Sequence, residues 1–228
     1  MFFSRITVRP DAGRAGAFWS AFRSSYSLHK AVWGLFGDHP DRERDFLYQV
    51  TEGAGPPVVY ALSARPLAEG SELWQAESKP FAPRLCAGML LGFQLRANPV
   101  VTRRPETPDP NPKKRKRHDV VMEAKYRLKT KGVARGEWPT EAELVQEASG
   151  RWLGERAEKG GFRVESVRAD SYRQHEFWKK GGSPVRLSTV DFAGVLEVVD
   201  PIRFVEQLRD GIGPAKGFGC GLMLIRRV

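Results

Sequence analysis

The chain alternates between short segments with a strand-like apolar pattern and segments with helical spacing. In the first half, strand patterns occur at 2–8, 45–51, 58–64 and 73–81, and one helical pattern spans 15–36. The Gly/Pro-rich stretch EGAGPP predicts a turn between the second and third strands. The eight residues before the fourth strand are too few for a regular helix, so this half has the order β-α-β-β-(short)-β.

The second half repeats this order more completely. Its patterns predict a strand, a helix, two strands, a helix and a final strand, at 88–101, 140–158, 162–170, 186–198, 201–209 and in LMLI. Thr140 and Glu143 form a capping-box pattern, and Pro201 follows Asp200 at a helix start. The order β-α-β-β-α-β is the ferredoxin-like motif. We therefore predict an α+β protein with two tandem ferredoxin-like (RRM-like, βαββαβ) domains, 1–82 and 88–228.

Charge then narrows the choice of partner. The 228 residues contain 37 Lys and Arg against 27 Asp and Glu, a net charge of +10. This excess favours a polyanion, with nucleic acid ahead of a membrane surface. Within 103–117, seven basic and two acidic residues accompany four prolines, so this stretch cannot fold by itself. A basic loop at 103–118 is predicted to bind phosphates, although a solvated loop or a localisation signal would have the same composition. The candidates are Arg103, Arg104, Lys113, Lys114, Arg115, Lys116 and Arg117.

A predicted β-hairpin at 168–187 mixes basic and aromatic residues around a KKGG turn. This mixture suits RNA, through phosphate contacts and stacking, and the basic candidates are Arg168, Arg173, Lys179 and Lys180. The alternative is a solvated edge hairpin whose lysines prevent aggregation.

The segment 211–221, GIGPAKGFGCG, contains five glycines in eleven positions. Its spacing matches neither a dinucleotide-binding turn nor a Walker loop. A bare backbone allows another chain to approach closely and leaves N–H groups available to an anion, which makes Lys216, Gly217 and Gly219 candidate RNA contacts. A tight turn before a strand is the other interpretation.

The first helical pattern places a histidine and a tyrosine together. A single apolar stripe contains Phe18, Phe22, Tyr26, His29, Trp33 and Phe36. A histidine on such a stripe is more often a hydrogen-bonded core residue. The pair would nevertheless suit RNA cleavage by the neighbouring 2'-hydroxyl, with histidine transferring a proton and tyrosine holding the hydroxyl or phosphate. Lys30, Lys216 or loop N–H groups would supply the positive field.

The sequence lacks the residue patterns of metal-dependent hydrolases, zinc sites and disulfide frameworks. The four histidines are dispersed, and neither H-E-x-x-H nor a carboxylate cluster occurs, so metal-dependent hydrolysis is the weaker hypothesis and we expect no metal and no cofactor. The two cysteines, Cys86 and Cys220, suggest neither a disulfide framework nor a zinc site. The absence of a signal-peptide pattern and of a long apolar run predicts a cytoplasmic protein without a membrane partner.

Five segments in order resemble the CasE family, the CRISPR RNA processing endoribonucleases of the type I-E Cascade complex. They are YSLHKAVWGLF, LRANPVV, KRHDVV, WLGERAEKGGFRV, and VDFAGVLEVVDP followed by GIGPAKGFGCGLMLIRR. The resemblance implies two ferredoxin-like domains and metal-independent cleavage of the CRISPR repeat RNA at the 3' base of its stem-loop. It implies 2',3'-cyclic phosphate and 5'-hydroxyl ends, and other Cascade subunits as partners.

The resemblance also assigns roles to residues. The family's catalytic histidine corresponds to His29 and its helical tyrosine to Tyr26, while its glycine-rich loop corresponds to 211–221. It implies that the basic loop and the β-hairpin hold the RNA. Two alternatives stay open from the residues: a non-catalytic RNA-binding scaffold of the same fold, and a generic RRM-like binder, which is disfavoured because no RNP1 pattern is present.

Overall fold

The computed structural model describes residues 1–10, 23, 25–36, 44–51, 56–68, 71–102, 117–178 and 184–228, without the side chains of residues 25, 26, 177 and 178. Within these ranges the chain forms two four-stranded sheets, a two-stranded ribbon and four α-helices.

The first sheet contains strands β1 (Phe2–Val8), β2 (Phe46–Thr51), β3 (Val58–Ser63) and β4 (Trp74–Pro80). Its order is β2-β3-β1-β4, and every neighbouring pair is antiparallel. Helix α1 (Ser25–Gly34) covers one face, where Val32 and Leu35 are buried. Just after this helix, the Phe36 ring stacks on Phe46 with centroids 4.0 Å apart. Alternate residues of β2 therefore face this helix.

The second sheet contains β5 (Leu90–Ala97), β8 (Phe162–Trp178), β9 (Pro184–Val198) and β10 (Met223–Arg227), in the antiparallel order β10-β5-β9-β8. Helices α2 (Val120–Thr130), α3 (Glu141–Lys159) and α4 (Pro201–Asp210) accompany it. The predicted capping box is present at Thr140, and Asp200 caps α4 ahead of Pro201. The largest apolar cluster contains Trp152, Phe192 and Phe204.

Both sheets have the strand order of a ferredoxin-like domain, so the predicted tandem fold is confirmed. In the first domain, the described residues between β3 and β4 contain no helix. The strands of the first sheet lie within 2–80 and those of the second within 90–227. The boundaries 1–82 and 88–228 stay a prediction.

Two expectations for the second half need correction. The predicted strand at 88–101 is β5 followed by a separate strand β6 (Val100–Thr102), because Pro99 cannot continue the ladder. Strand β6 pairs with β7 (Arg117–Asp119), so residues 117 and 118 of the predicted basic loop belong to a strand. Helix α2 was not predicted. It begins after Asp119, whose carboxylate accepts a hydrogen bond from the Met122 N–H at 2.8 Å.

The two domains pack against each other through a small apolar cluster. Leu47 and Leu62 of the first sheet bury their side chains with Leu222, which precedes β10. Both cysteines are free thiols, Cys86 exposed and Cys220 buried. None of the helices in the described ranges is long and apolar enough to cross a membrane. The packed junction places the glycine-rich segment beside β2 and α1.

Candidate active site and RNA-binding groove

His29 lies where α1 of the first domain meets the glycine-rich loop of the second. Its half-buried ring has its centroid 5.5 Å from that of Trp33 and 5.5 Å from that of Phe218. A Cβ added to Gly217 would lie 3.4 Å from His29 Cε1. Among the described side chains of α1 it is Val32 that is fully buried, and Leu35 just after the helix is buried with it. His29 therefore contacts the domain junction and does not occupy the interior of the first domain.

A hydrogen bond fixes the loop against the first domain. Residues Lys216–Phe218 form a single 3-10 turn, between Ala215 and Gly219, both with positive φ. The Tyr48 hydroxyl of β2 donates to the Gly217 carbonyl at 3.0 Å. Burial raises the pKa of Tyr48, so its phenol remains protonated as a donor at neutral pH. This bond joins residues 169 positions apart in the sequence.

Protein packing accounts for several of the loop glycines. A Cβ at Gly211 would lie 2.7 Å from Leu47 Cδ1, and one at Gly213 would lie 3.0 Å from the Trp152 ring. One at Gly219 would lie 3.2 Å from Tyr48 Cε2, and all three glycines have positive φ. The bare backbone lets the loop lie between the domains. A direct approach of RNA to Gly217 and Gly219 stays a prediction.

An open basic groove begins at this loop. The groove has a volume of about 760 Å³, and four cationic side chains line it: Arg44, Arg117, Arg156 and Lys216. Trp33 and Phe218 contribute apolar rings to the same surface. Four cations along one concave surface create the positive potential that a phosphate backbone requires.

Two of the cations are held by specific contacts. The Arg156 guanidinium lies 4.0 Å from the Trp152 ring centroid and donates to the Trp152 carbonyl at 2.9 Å. The Lys216 ammonium donates to the Asp210 carbonyl. Burial, with the nearby Arg44, lowers the pKa of Lys216. These contacts within the chain hold the charges of Arg156 and Lys216 at the groove wall before any RNA binds.

The remaining candidates are distributed more widely. Lys30 is exposed on α1 next to His29. Arg173 lines a second recess, and Phe218 forms part of the wall of that recess as well. Arg168 forms an exposed ion pair with Asp170 at 2.9 Å. The other predicted contacts lie outside the described residues: Arg103, Arg104, Lys113, Lys114, Arg115, Lys116, Lys179, Lys180 and the side chain of Tyr26. The structure thus brings together His29, Arg117, Lys216, Gly217 and Gly219.

Sequence reasoning missed Arg44, Tyr48, Arg156 and Phe218. Arg156 follows Trp152 by one helical turn, which was a usable local signal for a guanidinium on an indole. Arg44 and Tyr48 gave no such signal, because their roles depend on contacts with the second domain. Within the described ranges, no group of three or more His, Cys, Asp or Glu is placed to hold a metal ion. The groups at hand support proton transfer by His29 beside a cationic surface.

These features define a class: a protein of two ferredoxin-like domains whose junction has a histidine at the edge of a basic groove. A family model described as CRISPR associated protein matches residues 1–227. The Cascade subunit CasE of Escherichia coli (strain K12) is 32% identical over 208 residues, or 90% of this chain and 92% of that protein. The CRISPR-associated endoribonuclease Cse3 of Thermus thermophilus is 34% identical over 158 residues, or 64% of this chain and 60% of that protein.

A solved structure of the CRISPR endoribonuclease Cse3 bound to 19 nt RNA is similar over nearly the whole fold. It has a TM-score of 0.70 and 26% sequence identity, and the match covers 99% of this chain and 100% of that one. The chain belongs to the CasE family of CRISPR-associated proteins.

Proposed function

We propose that this protein is a metal-independent endoribonuclease that binds the stem-loop of a CRISPR repeat and cuts the precursor RNA at the 3' base of the stem. The observation that carries the proposal is the position of His29, which lies against Gly217 and Phe218 at the edge of the groove lined by Arg44, Arg117, Arg156 and Lys216. The names of its relatives, CasE and Cse3 endoribonuclease, support the same reaction.

The chemistry requires two proton transfers and stabilisation of charge at phosphorus. The 2'-hydroxyl of the nucleotide before the cut loses its proton and attacks the phosphorus, and the bond to the 5'-oxygen of the next nucleotide breaks. The products are a 2',3'-cyclic phosphate and a 5'-hydroxyl. His29 transfers one of the two protons, and Tyr26, one helical turn earlier on α1, orients the hydroxyl or the phosphate.

The groove supplies the charge that this reaction needs. Lys216 and Arg117 lie on the same groove surface as the loop turn, so a phosphate next to His29 would lie in their field. Strands β6 and β7, which flank the basic segment 103–116 in the sequence, contribute Val100, Thr102 and Arg117 to the wall of the groove. In our proposal that segment and the outer part of the β8–β9 hairpin grip the stem by its phosphates.

The proposed partners follow from the relatives. The E. coli relative is named as a Cascade subunit, and we place this protein in a type I-E Cascade complex that retains the cut guide RNA in the cytoplasm. Many phosphate contacts make release slow, which favours retention of the product.

The test is single-turnover cleavage of the repeat hairpin in EDTA by wild type and His29→Ala, with RNA binding measured in parallel. We expect the wild type to cut, and the variant to bind with similar affinity and to cut at least about a hundredfold more slowly. A substrate with a 2'-deoxy nucleotide before the cut should resist the wild type.

Other results would contradict parts of the proposal. Cleavage that stops in EDTA would indicate a metal-dependent reaction. Tight binding without cleavage by either protein would make the chain a non-catalytic RNA-binding scaffold, with His29 a packing residue.

A further inference from the structure

A second recess shares Phe218 with the basic groove. It has a volume of about 170 Å³ and lies at the domain junction, between β2 and the open face of the second sheet. Pockets for drug-sized ligands have volumes of roughly 300–1,000 Å³, so this recess suits a single planar ring system. We call it the junction pocket, and its walls include Tyr48, Arg173, His175, Thr189, Asp191 and Phe218.

The polar wall of the junction pocket is formed by alternate residues of β8 and β9, which lie on one face of the second sheet. Arg173 pairs with Thr189 across β8 and β9, and His175 pairs with Leu187. Because alternate strand residues share a face, these side chains and Asp191 all lie on the face opposite Val190 and Phe192, which are in the core. The second sheet thus directs a row of hydrogen-bonding groups at the first domain.

Contacts within the row hold these groups in place. Arg96 donates to both carboxylate oxygens of Asp191, at 2.6 and 2.9 Å. His175 Nε2 lies 2.9 Å from the Thr189 hydroxyl oxygen. Burial, then the charges of Arg96 and Arg173, lower the pKa of His175, so its ring is neutral at pH 7. A neutral ring, a hydroxyl, a guanidinium and a carboxylate together offer both donors and acceptors.

The position of the junction pocket beside the basic groove indicates which part of a bound RNA would reach it. Phe218 borders both the junction pocket and the basic groove, and its ring lies beside His29. An RNA strand whose phosphates follow the groove past His29 therefore has a neighbouring nucleotide at Phe218. An unpaired base there would stack on an aromatic ring and present its edge to Arg173, Thr189 and Asp191, which is the usual protein mode of reading single-stranded RNA.

We propose that the junction pocket binds one unpaired nucleobase next to the cut, and so contributes to choosing where the repeat is cleaved. This proposal rests on the proposed RNA-cleaving function. Apolar side chains at Leu28, Val50 and Leu187 complete the walls, so the base is desolvated on its faces and hydrogen-bonded at its edge.

The experiment removes bases one at a time from the unpaired nucleotides that flank the stem of the cleaved repeat hairpin, leaving each ribose and its 2'-hydroxyl intact. Binding and single-turnover cleavage are measured for wild type, for Thr189→Val, which removes the hydroxyl at nearly constant volume, and for Leu187→Trp, which fills the junction pocket. Thr7→Val on β1 is the matched control, a threonine substitution at a residue that does not line the pocket. Thermal melting checks that each variant is folded.

For wild type and Thr7→Val, we expect base removal at one position to weaken binding about tenfold or more. At that position the loss should fall to less than about twofold in Leu187→Trp and be intermediate in Thr189→Val. Such non-additivity reports a direct contact, which a merely structural effect of the variants would not produce.

Two results would overturn the proposal in distinguishable ways. If the intact hairpin is cut but no single base removal costs more than about twofold, or every protein loses the same amount, the junction pocket holds no base while the proposed function stands. If the intact hairpin is neither bound nor cut, the proposed function fails and the pocket proposal fails with it.

Discussion

The bond between Tyr48 and the glycine-rich loop allows a sharp test of whether the loop positions His29. Tyr48→Phe removes only the hydroxyl that donates to the Gly217 carbonyl at 3.0 Å, and the ring keeps its buried position on β2. The net value of such a hydrogen bond is about 1 kcal/mol. For a chain of this size, that loss lowers the melting temperature by about 2–4 °C.

The effect on catalysis follows from the same magnitude. In the proposed reaction the loop contributes only while Gly217 and Phe218 stay beside His29, so the transition state loses the free energy that held them there. About 1 kcal/mol corresponds to a roughly fivefold slower single-turnover cleavage. Affinity for the repeat hairpin should change less than about twofold, because most phosphate contacts lie elsewhere.

The control is Tyr60→Phe on the neighbouring strand β3, where the ring stacks on Phe3 at the opposite face of the sheet. It makes the same chemical change on the face that packs on Leu47, Leu62 and Leu222, opposite the face that holds Tyr48, and should cut at the wild-type rate. The reasoning is refuted if Tyr48→Phe melts at a lower temperature yet cuts as fast as wild type, since the bond would then stabilise the fold without positioning His29.

Three further outcomes are expected. Arg156→Gln should weaken RNA binding about three- to tenfold and reduce the salt dependence by about one phosphate contact. Arg151→Gln, on the same helix but on the wall of a different recess, should leave both unchanged; equal effects in salt titrations would exclude Arg156 from the RNA path. In urea unfolding, Gly211→Ala should destabilise the fold by about 2–3 kcal/mol, because φ is +76° and the added Cβ meets Leu47. Gly154→Ala, whose added Cβ meets open space on α3, should stabilise the fold by up to about 1 kcal/mol in the same assay. The pKa of His175 is lowered from 6.5 in the folded protein, so the neutral ring contributes its full stability above pH 6.5, and this stability is lost as the pH falls through the folded pKa. The melting temperature of His175→Gln should therefore depend less on pH in that window. Parallel curves of melting temperature against pH for the variant and the wild type would contradict the lowered pKa.

The fold could be predicted because its determinants are local. Apolar periodicity located both sets of four strands, and the capping residues Thr140 and Asp200 marked two helix starts. Helix α2 also had a local signal, since Asp119 precedes Val120, Val121 and Leu128 at helical spacing. The dense positive charge at 103–117 directly before it favours a solvated loop, so the helical signal is weak in its sequence context.

The site depended on contacts that no local pattern contains. His29 was identified through family resemblance, since on its own helix it was indistinguishable from a core histidine. Tyr48 was part of an ordinary strand pattern, and its bond to Gly217 exists only because the two domains pack together. The glycines are evident in the sequence, whereas their neighbours Leu47 and Trp152 are determined by the packing of the two domains.

The distance along the chain between His29 and the loop at 211–221 has a consequence for how the protein is made. During synthesis the first domain, with its histidine, leaves the ribosome well before the loop that completes the site. A nascent or truncated chain that folds its first sheet still lacks Lys216, Gly217 and Phe218, as well as the cations of α3 and β7. In the proposed reaction, competence to cut RNA therefore arises only once the second domain has been translated.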